Sequence, residues 1–238
     1  MTAVTGGSRG IGAATVLRLA AAGGAVAVGY HTDRDAALAV AADAERKGGR
    51  AVPIQVDVTQ ADSLADFLDG AASQLGPVDG VVANAGAVRA VGRLVELDPE
   101  AISRDLEVNL LGAVLTCRAA IPHLQRTEGA LVLVGSAAAT IGSPGSYVHY
   151  AAAKAGVAAL TVGLSKELGP AGIRVNCVEP GTVWTDFHQD PQRPAKVATG
   201  LPLGRAGQPD EIAAAIIWLL SKEASYATGA TVRIAGGM

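Results

Sequence analysis

The stretch Thr2-Ala-Val-Thr-Gly-Gly-Ser-Arg-Gly-Ile-Gly12, followed by Ala13-Ala-Thr-Val-Leu-Arg-Leu-Ala-Ala-Ala22, is a short apolar run, a glycine-rich turn and a helix-forming segment in succession. Glycines permit a tight turn and let backbone N–H groups approach a phosphate at the start of the helix. Glycine-rich turns also occur without any ligand. The placement between an apolar strand and an Ala/Leu helix is what makes this one read as a dinucleotide-binding loop. Its spacing is Gly6-x3-Gly10-x-Gly12, which differs from the usual G-x-G-x-x-G.

The same alternation continues along the chain. Strands are expected at Thr2–Thr5, Ala25–Tyr30, Ala51–Val56, Gly80–Ala83, Ala130–Val134, Arg174–Val178 and Thr231–Ile234, and helices near 10–22, 34–47, 61–75, 100–125, 150–168 and 209–221. The strand runs are rich in β-branched residues and do not alternate with polar ones, so they read as buried on both faces. Strand and helix in regular alternation give a parallel sheet with helices on both sides. No linker, repeat or low-complexity segment interrupts the pattern. The expectation is α/β: one doubly wound domain over 1–238 with a seven-stranded parallel sheet. Ligands of such sheets bind beyond the carboxyl ends of the strands.

Composition narrows the class. The chain has 238 residues, is 50% hydrophobic, and carries 30 Gly but only 3% aromatic residues, which suits layers packed closely through small side chains. A net charge of −3 without a basic block argues against nucleic-acid binding. Cys117 and Cys177 are too few and too far apart for a disulfide framework or zinc site, and read as small buried hydrophobes. No signal peptide is visible and no apolar run is long enough to span a membrane, so a soluble, cytoplasmic protein is expected.

Tyr150-Ala-Ala-Ala-Lys154 places a phenol and an ammonium four residues apart inside a helical run, hence on one face. A neighbouring positive charge favours the phenolate and would bring the tyrosine into range for acid/base work near neutrality. Taken alone, the pair could equally be two solvated side chains on an Ala-rich helix.

Together, these motifs resemble the short-chain dehydrogenase/reductase family over essentially the whole chain. Thr5-Gly6-x3-Gly10-x-Gly12, with Ser8, Arg9 and Ile11 inside it, looks like the family's cofactor loop. Asp57-Val58 after the third strand looks like its adenine contact, and Asn84-Ala85-Gly86 after the fourth like its N-A-G turn. Asn109, Ser136, Tyr150 and Lys154 match its catalytic tetrad in order. Pro180-Gly181, with Val183 and Thr185, resembles the segment that fixes the nicotinamide carboxamide. The resemblance implies a Rossmann-fold oxidoreductase that moves a hydride between a nicotinamide and a carbonyl or secondary alcohol. Tyr150 would be the general acid/base and Ser136 would hold the substrate oxygen. Lys154 would lower the Tyr150 pKa and bind the nicotinamide ribose, and Asn109 would hold a water of a proton relay. The interval from Ser136 to Tyr150 is slightly longer than the family's, and an extra residue in the loop 141–149 would absorb it. Tyr147 lacks a lysine four residues on and is not the acid/base.

NAD enzymes of this fold usually carry an acid at the end of the second strand. That position here is Tyr30, followed by His31 and Thr32, while Arg9 in the glycine loop could pair a 2′-phosphate. Asp33 argues the other way. NADP(H) is therefore expected, with NAD(H) as the alternative. The segment 183–203, with Trp184, Phe187, His188 and several prolines, is the expected substrate lid. It offers polar and aromatic groups but no obvious charge clamp. His188 reads as a loop residue or substrate contact. The substrate is expected to be a small molecule or an acyl thioester, the enzyme resembling 3-oxoacyl-carrier-protein reductases. The alternatives are a sugar or polyol dehydrogenase and, in a different class, a non-catalytic dinucleotide-binding sensor or scaffold. Small residues on helices 100–125 and 150–168, with apolar Ile212, Ile216, Ile217, Trp218 and Leu220 on the last helix, leave surface to be covered; the family's members mostly pair these helices as tetramers or dimers, so the resemblance implies a homotetramer, with a dimer as second choice.

Overall fold

A computed structural model describes residues 1–238. Seven strands, β1 (Thr2–Val4), β2 (Ala25–Tyr30), β3 (Arg50–Gln55), β4 (Gly80–Ala83), β5 (Ala130–Val134), β6 (Arg174–Pro180) and β7 (Thr231–Ile234), form one sheet in the order β3-β2-β1-β4-β5-β6-β7. Every neighbouring pair is parallel. The long helices between them are α1 (Gly10–Ala21), α2 (Arg34–Arg46), α3 (Ala61–Leu75), α4 (Pro99–Leu106), α5 (Gly112–Leu124), α7 (Val148–Leu168) and α9 (Pro209–Leu220). Two short ones are α6 (Ala138–Ile141) and α8 (Arg193–Ala198).

The alternating sides of each strand explain why the runs are apolar throughout. Ala3, Ala27, Val81, Leu131 and Leu133 point to one face, where they meet Leu64, Phe67 and Leu68 of α3 and Leu124 of α5. Val4, Val26, Val28, Val132 and Val134 point to the other, against Val16 of α1 and Ile212, Ile216 and Leu219 of α9. Full burial of each such Val, Leu or Ile contributes roughly 1.5–3 kcal/mol. Phe67 is among the largest fully buried side chains. Truncating it to Ala would cost about 3–5 kcal/mol through the cavity left behind.

The structure departs from the expected elements in several places. Helix 100–125 is broken: α4 ends at Leu106, a π turn occupies Glu107–Leu111, and α5 resumes at Gly112. Such a turn leaves no trace in hydrophobic periodicity, and it recurs at functional sites. α7 begins at Val148, two residues before Tyr150, and β6 runs on to Pro180 because Ile234 of β7 still pairs with it. The segment 183–203 is not wholly irregular, since it contains α8. In the loop before Tyr150, Gly142, Ser143 and Gly145 are all at positive φ. Ile212 and Ile216 are spent on the core, so only Trp218, 42% exposed, leaves a large apolar side chain of α9 in solvent. Both cysteines are free and buried. No helix is long and apolar enough to cross a membrane.

Candidate active site

β1 lies between β2 and β4, so the chain leaves it toward one side of the sheet and β4 toward the other. A crevice opens at such a switch point. The loops after β1 and β4 are tied together across it. Asn84 Nδ2 donates to the carbonyls of Thr5 and Gly6, each at 3.0 Å, and Thr5 Oγ1 accepts from Asn84 N and Ala85 N at 3.1 and 3.2 Å. Asn84 therefore fixes the shape of the glycine loop from behind. Gly12 is required by close approach: a Cβ there would stand 2.1 Å from the Gly6 carbonyl oxygen. Gly6 and Gly10 adopt positive φ.

The start of α1 has no capping side chain and no acid in its first turn. The first amides of a helix lack intrahelical acceptors, and the helix dipole favours an anion there. An uncapped helix start beneath a glycine loop fits the pyrophosphate of a dinucleotide.

A cavity of about 960 Å³ runs along this edge of the sheet. It gathers almost every residue singled out in the sequence. The glycine loop contributes Gly6, Ser8, Arg9, Gly10 and Ile11, and the end of β2 contributes Tyr30, His31 and Thr32. The ends of β3 and β4 bring Asp57, Val58, Asn84, Ala85 and Gly86. Ser136, Tyr150 and Lys154 form the far wall, with Pro180, Gly181, Val183 and Thr185 over them. Two singled-out residues do not line it. Gly12 lies beneath the loop, and Asn109 is fully buried behind Ala87.

At the end of the cavity beside β2 and β3, Asp57 Oδ1 accepts from Thr59 N at 3.0 Å and Thr59 Oγ1 at 2.7 Å, and His31 Nε2 stands 3.6 Å from Asp57 Oδ2. Burial works to raise the Asp57 pKa, but the Thr59 hydrogen bonds and nearby His31 outweigh it and hold the carboxyl below its ordinary value. Arg9 and Asp33 face each other across the rim at 3.9 Å, both substantially exposed. Asp33 also caps α2, accepting from Ala36 N at 3.0 Å.

Tyr150 and Lys154 are not solvated helix residues; they are 7% and 4% exposed. Lys154 Nζ donates to the Val134 carbonyl at 2.9 Å and lies 5.7 Å from the Tyr150 ring centroid. Burial pushes the ammonium down to about 8. Burial likewise pushes the Tyr150 phenol above its ordinary value, with the Ser136 hydroxyl partly opposing the rise. The expectation that Lys154 brings the tyrosine pKa down is thus corrected for this state of the protein. The desolvation of both groups outweighs an ammonium whose own charge burial disfavours.

Asn109 sits in the π turn. Both N–H groups of its amide are spent, on the carbonyls of Ala87 and, at 2.8 Å, Asp105, while Oδ1 accepts from Ala87 N. A relay water therefore gains no donor from this side chain. Asn109 Oδ1 and Lys154 Nζ both face Gly86, where an added Cβ would lie 2.9 Å from the first and 3.7 Å from the second.

Sequence reasoning missed a second set of side chains. Tyr147 packs edge-on to Tyr150 with ring centroids 5.4 Å apart, and Phe187 lies 5.7 Å from Tyr150. Arg193 of α8 reaches Tyr147 Oη at 2.8 Å. Asp105 and His149 pair behind them. Spacing could not reveal these partners, because they come from three separate segments of the chain.

The comparisons agree with this geometry. Residues 6–238 match the family model described as Enoyl-(Acyl carrier protein) reductase. An oxidoreductase of Escherichia coli, named only as the uncharacterized oxidoreductase YgfF, is 41% identical over 241 residues, covering 98% of each chain. A 3-oxoacyl-[acyl-carrier-protein] reductase of Synechocystis sp. is 37% identical over 99% of this chain and 95% of its own. The crystal structure of a short chain dehydrogenase from Burkholderia cenocepacia in complex with NADP superimposes with a TM-score of 0.92 at 36% identity, covering 99% of this chain and 96% of the other.

Proposed function

The chain belongs to the short-chain dehydrogenase/reductase family, whose enzymes act on CH–OH groups with NAD(P) as acceptor, and within it we propose an NADP(H)-dependent reductase of a 3-oxoacyl thioester or small ketone with Tyr150 as its general acid/base. The observation that carries this reading is the burial of Tyr150 and Lys154 on one face of α7, in the cavity that also contains the uncapped start of α1.

When bound, the nicotinamide supplies or accepts the hydride. The glycine loop, through Gly6, Ser8, Gly10, Ile11 and the approach left by Gly12, holds its pyrophosphate. Asp57 and Val58 meet the adenine, and Arg9 with Tyr30, His31 and Thr32 surrounds the adenine ribose. Asn84, Ala85 and Gly86 back the nicotinamide half. Pro180, Gly181, Val183 and Thr185 orient the carboxamide. The NADP in the Burkholderia cenocepacia structure and the absence of an acid at Tyr30 both support the phosphorylated cofactor.

Tyr150 gives its proton to the substrate oxygen in reduction and takes it back in oxidation. The raised phenol pKa keeps that proton in place until charge develops on the oxygen beside it. Ser136 hydrogen-bonds the same oxygen and stabilises the developing charge. Lys154 contributes its remaining N–H groups to the nicotinamide ribose. Asn109 acts by holding Ala87 and the π turn in position.

The segment 183–203 forms the lid over the substrate, and the whole chain, 1–238, works as one domain. A homotetramer agrees with the apolar surface left on the helices and near the β7 edge. Leu111, Val114, Val162 and Trp218 are each between 36% and 45% exposed, and Tyr226 is fully exposed. The test is to follow NADPH and NADH oxidation at the nicotinamide absorbance with acetoacetyl thioesters, diketones, quinones, sugars and small ketones. Turnover of carbonyl compounds with preference for NADPH is expected; sugar oxidation alone would move the protein to the polyol dehydrogenases.

A further inference from the structure

We propose that the substrate carries a carboxylate a few bonds from its reacting carbon, and that Arg193, positioned by Tyr147, binds it. The proposal rests on the reading of Tyr150 as the reacting end of the cavity, and it narrows the small ketones named above to those that carry an acid group.

Eight of the fourteen arginines are already paired: Arg9, Arg18, Arg46, Arg104, Arg205 and Arg233 each meet a carboxylate, and Arg50 and Arg174 donate to backbone carbonyls. Arg193 is different. It lines the cavity, meets no carboxylate, and makes a single side-chain hydrogen bond, from Nη2 to Tyr147 Oη at 2.8 Å. Its Nε–H is buried without an acceptor. A buried donor left unpaired is costly and calls for a partner.

The nearest acid on the same segment does not supply one. Asp190 accepts from Lys196 Nζ at 2.7 Å and from Gln192 N at 2.9 Å. Asp186 and Glu107 also line the cavity, and neither forms an ion pair with Arg193. Arg89, exposed at the cavity, lacks a carboxylate partner too. Arg193 therefore reaches the cavity with no carboxylate within ion-pair distance.

The position of Arg193 sets the ligand's size. Its guanidinium carbon is 5.1 Å from the Tyr147 ring centroid, and that ring is 5.4 Å from the ring of Tyr150. Phe187 gives the space between an apolar wall. A ligand with its carbonyl at the Tyr150 hydroxyl and a short apolar body would place an anion at Arg193. The phosphates of a carrier thioester lie far too many bonds from the carbonyl to do so. A guanidinium with one N–H on Tyr147 still offers donors in the planar arrangement that suits the two oxygens of a carboxylate.

The test pairs cyclic and open-chain oxo acids with their methyl esters, alongside acetoacetyl thioesters, in the full-length enzyme with NADPH. The wild type is expected to favour acid over ester in kcat/KM by about 10–100-fold, the range for a hydrogen bond to a charged group. Arg193→Met should bring that ratio down at least about tenfold, chiefly through KM, with Arg193→Lys intermediate because it keeps charge but not planarity. Tyr147→Phe should lower the ratio in part, by releasing the guanidinium. An enzyme that treats acid and ester alike, or prefers the thioesters, overturns the carboxylate proposal alone. An enzyme that turns over no carbonyl compound with either cofactor overturns the reading of the Tyr150 site itself.

Discussion

The Asp105 carboxylate and the His149 imidazole meet at 3.0 Å, with side chains 1% and 4% exposed. Asp105 belongs to the last turn of α4, and His149 immediately precedes Tyr150 on α7. The same carboxylate accepts from Arg89 N at 3.0 Å and Ala90 N at 3.1 Å. One buried acid thus joins the segment after β4, the approach to the π turn, and the first turn of the helix that carries Tyr150.

Removing that acid should be expensive. Asp105→Ala leaves two backbone donors and one imidazole N–H buried without an acceptor. Leaving buried donors unpaired costs at least about 1–3 kcal/mol. Urea denaturation of the variant should show a loss in that range. Because His149 positions the start of α7, kcat should fall more than the affinity for NADPH. Asp105→Asn, which keeps an acceptor oxygen, should recover part of both. An Asp105→Ala enzyme of wild-type stability would show that water fills the gap and the junction carries no energy.

Tyr150→Phe keeps the ring, its packing against Tyr147 and Phe187, and loses only the hydroxyl. Turnover of a verified substrate should drop at least about a hundredfold, as expected for loss of a general acid. NADPH binding, followed by its fluorescence, should persist. Tyr147→Phe should change kcat far less, since its hydroxyl faces Arg193. Near-normal kcat in Tyr150→Phe would remove this residue from the chemistry.

Lys154 gives the protein a pH-dependent term whose sign is fixed by burial. Burial holds the ammonium down to about 8 in the fold, against 10.5 for an ordinary lysine. Below pH 8 the folded protein bears the full cost of a buried ammonium. Between pH 8 and 10.5 the unfolded chain keeps the proton while the folded chain has released it, so this term raises stability as pH rises. The free wild type should therefore gain on Lys154→Met, on the order of 3 kcal/mol across that window. Taking the difference between the two proteins cancels the buried Tyr150, whose shift acts in the opposite direction. A difference that stays flat from pH 7 to 10.5 would mean that Lys154 keeps its charge in the fold.

The sheet was legible because its strands are continuous apolar runs and its loops carry the glycines that close approach demands; Gly12 against the Gly6 carbonyl is the clearest case. The residues that gather in the cavity were legible for a related reason: most of them directly follow strand ends, and a parallel sheet brings all those ends to one edge. What stayed hidden depends on contacts between distant segments. Nothing in Glu107–Leu111 announces a π turn, because its register is set by Asn109 reaching back to Asp105 and across to Ala87. The lysine effect on Tyr150 was misjudged because charge spacing is visible in a sequence and desolvation is not. Arg193 drew no notice in the sequence, because only the placing of α8 brings it onto Tyr147.

Cofactor choice turns on the Arg9 and Asp33 pair. They stand 3.9 Å apart, close enough for either to be the residue that reads the adenine ribose. If Arg9 pairs a 2′-phosphate, Arg9→Ala should weaken NADPH by about 1.5–3 kcal/mol, the range for a hydrogen bond to a charged group. NADH should change much less, having no phosphate there. Asp33→Asn separates the cases without removing the helix cap, since an Asn oxygen can still accept from Ala36 N. With Arg9 as the reader, that substitution removes a competing negative charge and should increase the preference for NADPH. With Asp33 as the reader of a free 2′-hydroxyl, it should instead lower kcat/KM for NADH. Tyr30→Asp supplies the acid at the end of β2 that NAD enzymes of this fold use, and should move preference toward NADH. Equal losses for both cofactors in Arg9→Ala would mean that Arg9 shapes the glycine loop and does not read the phosphate.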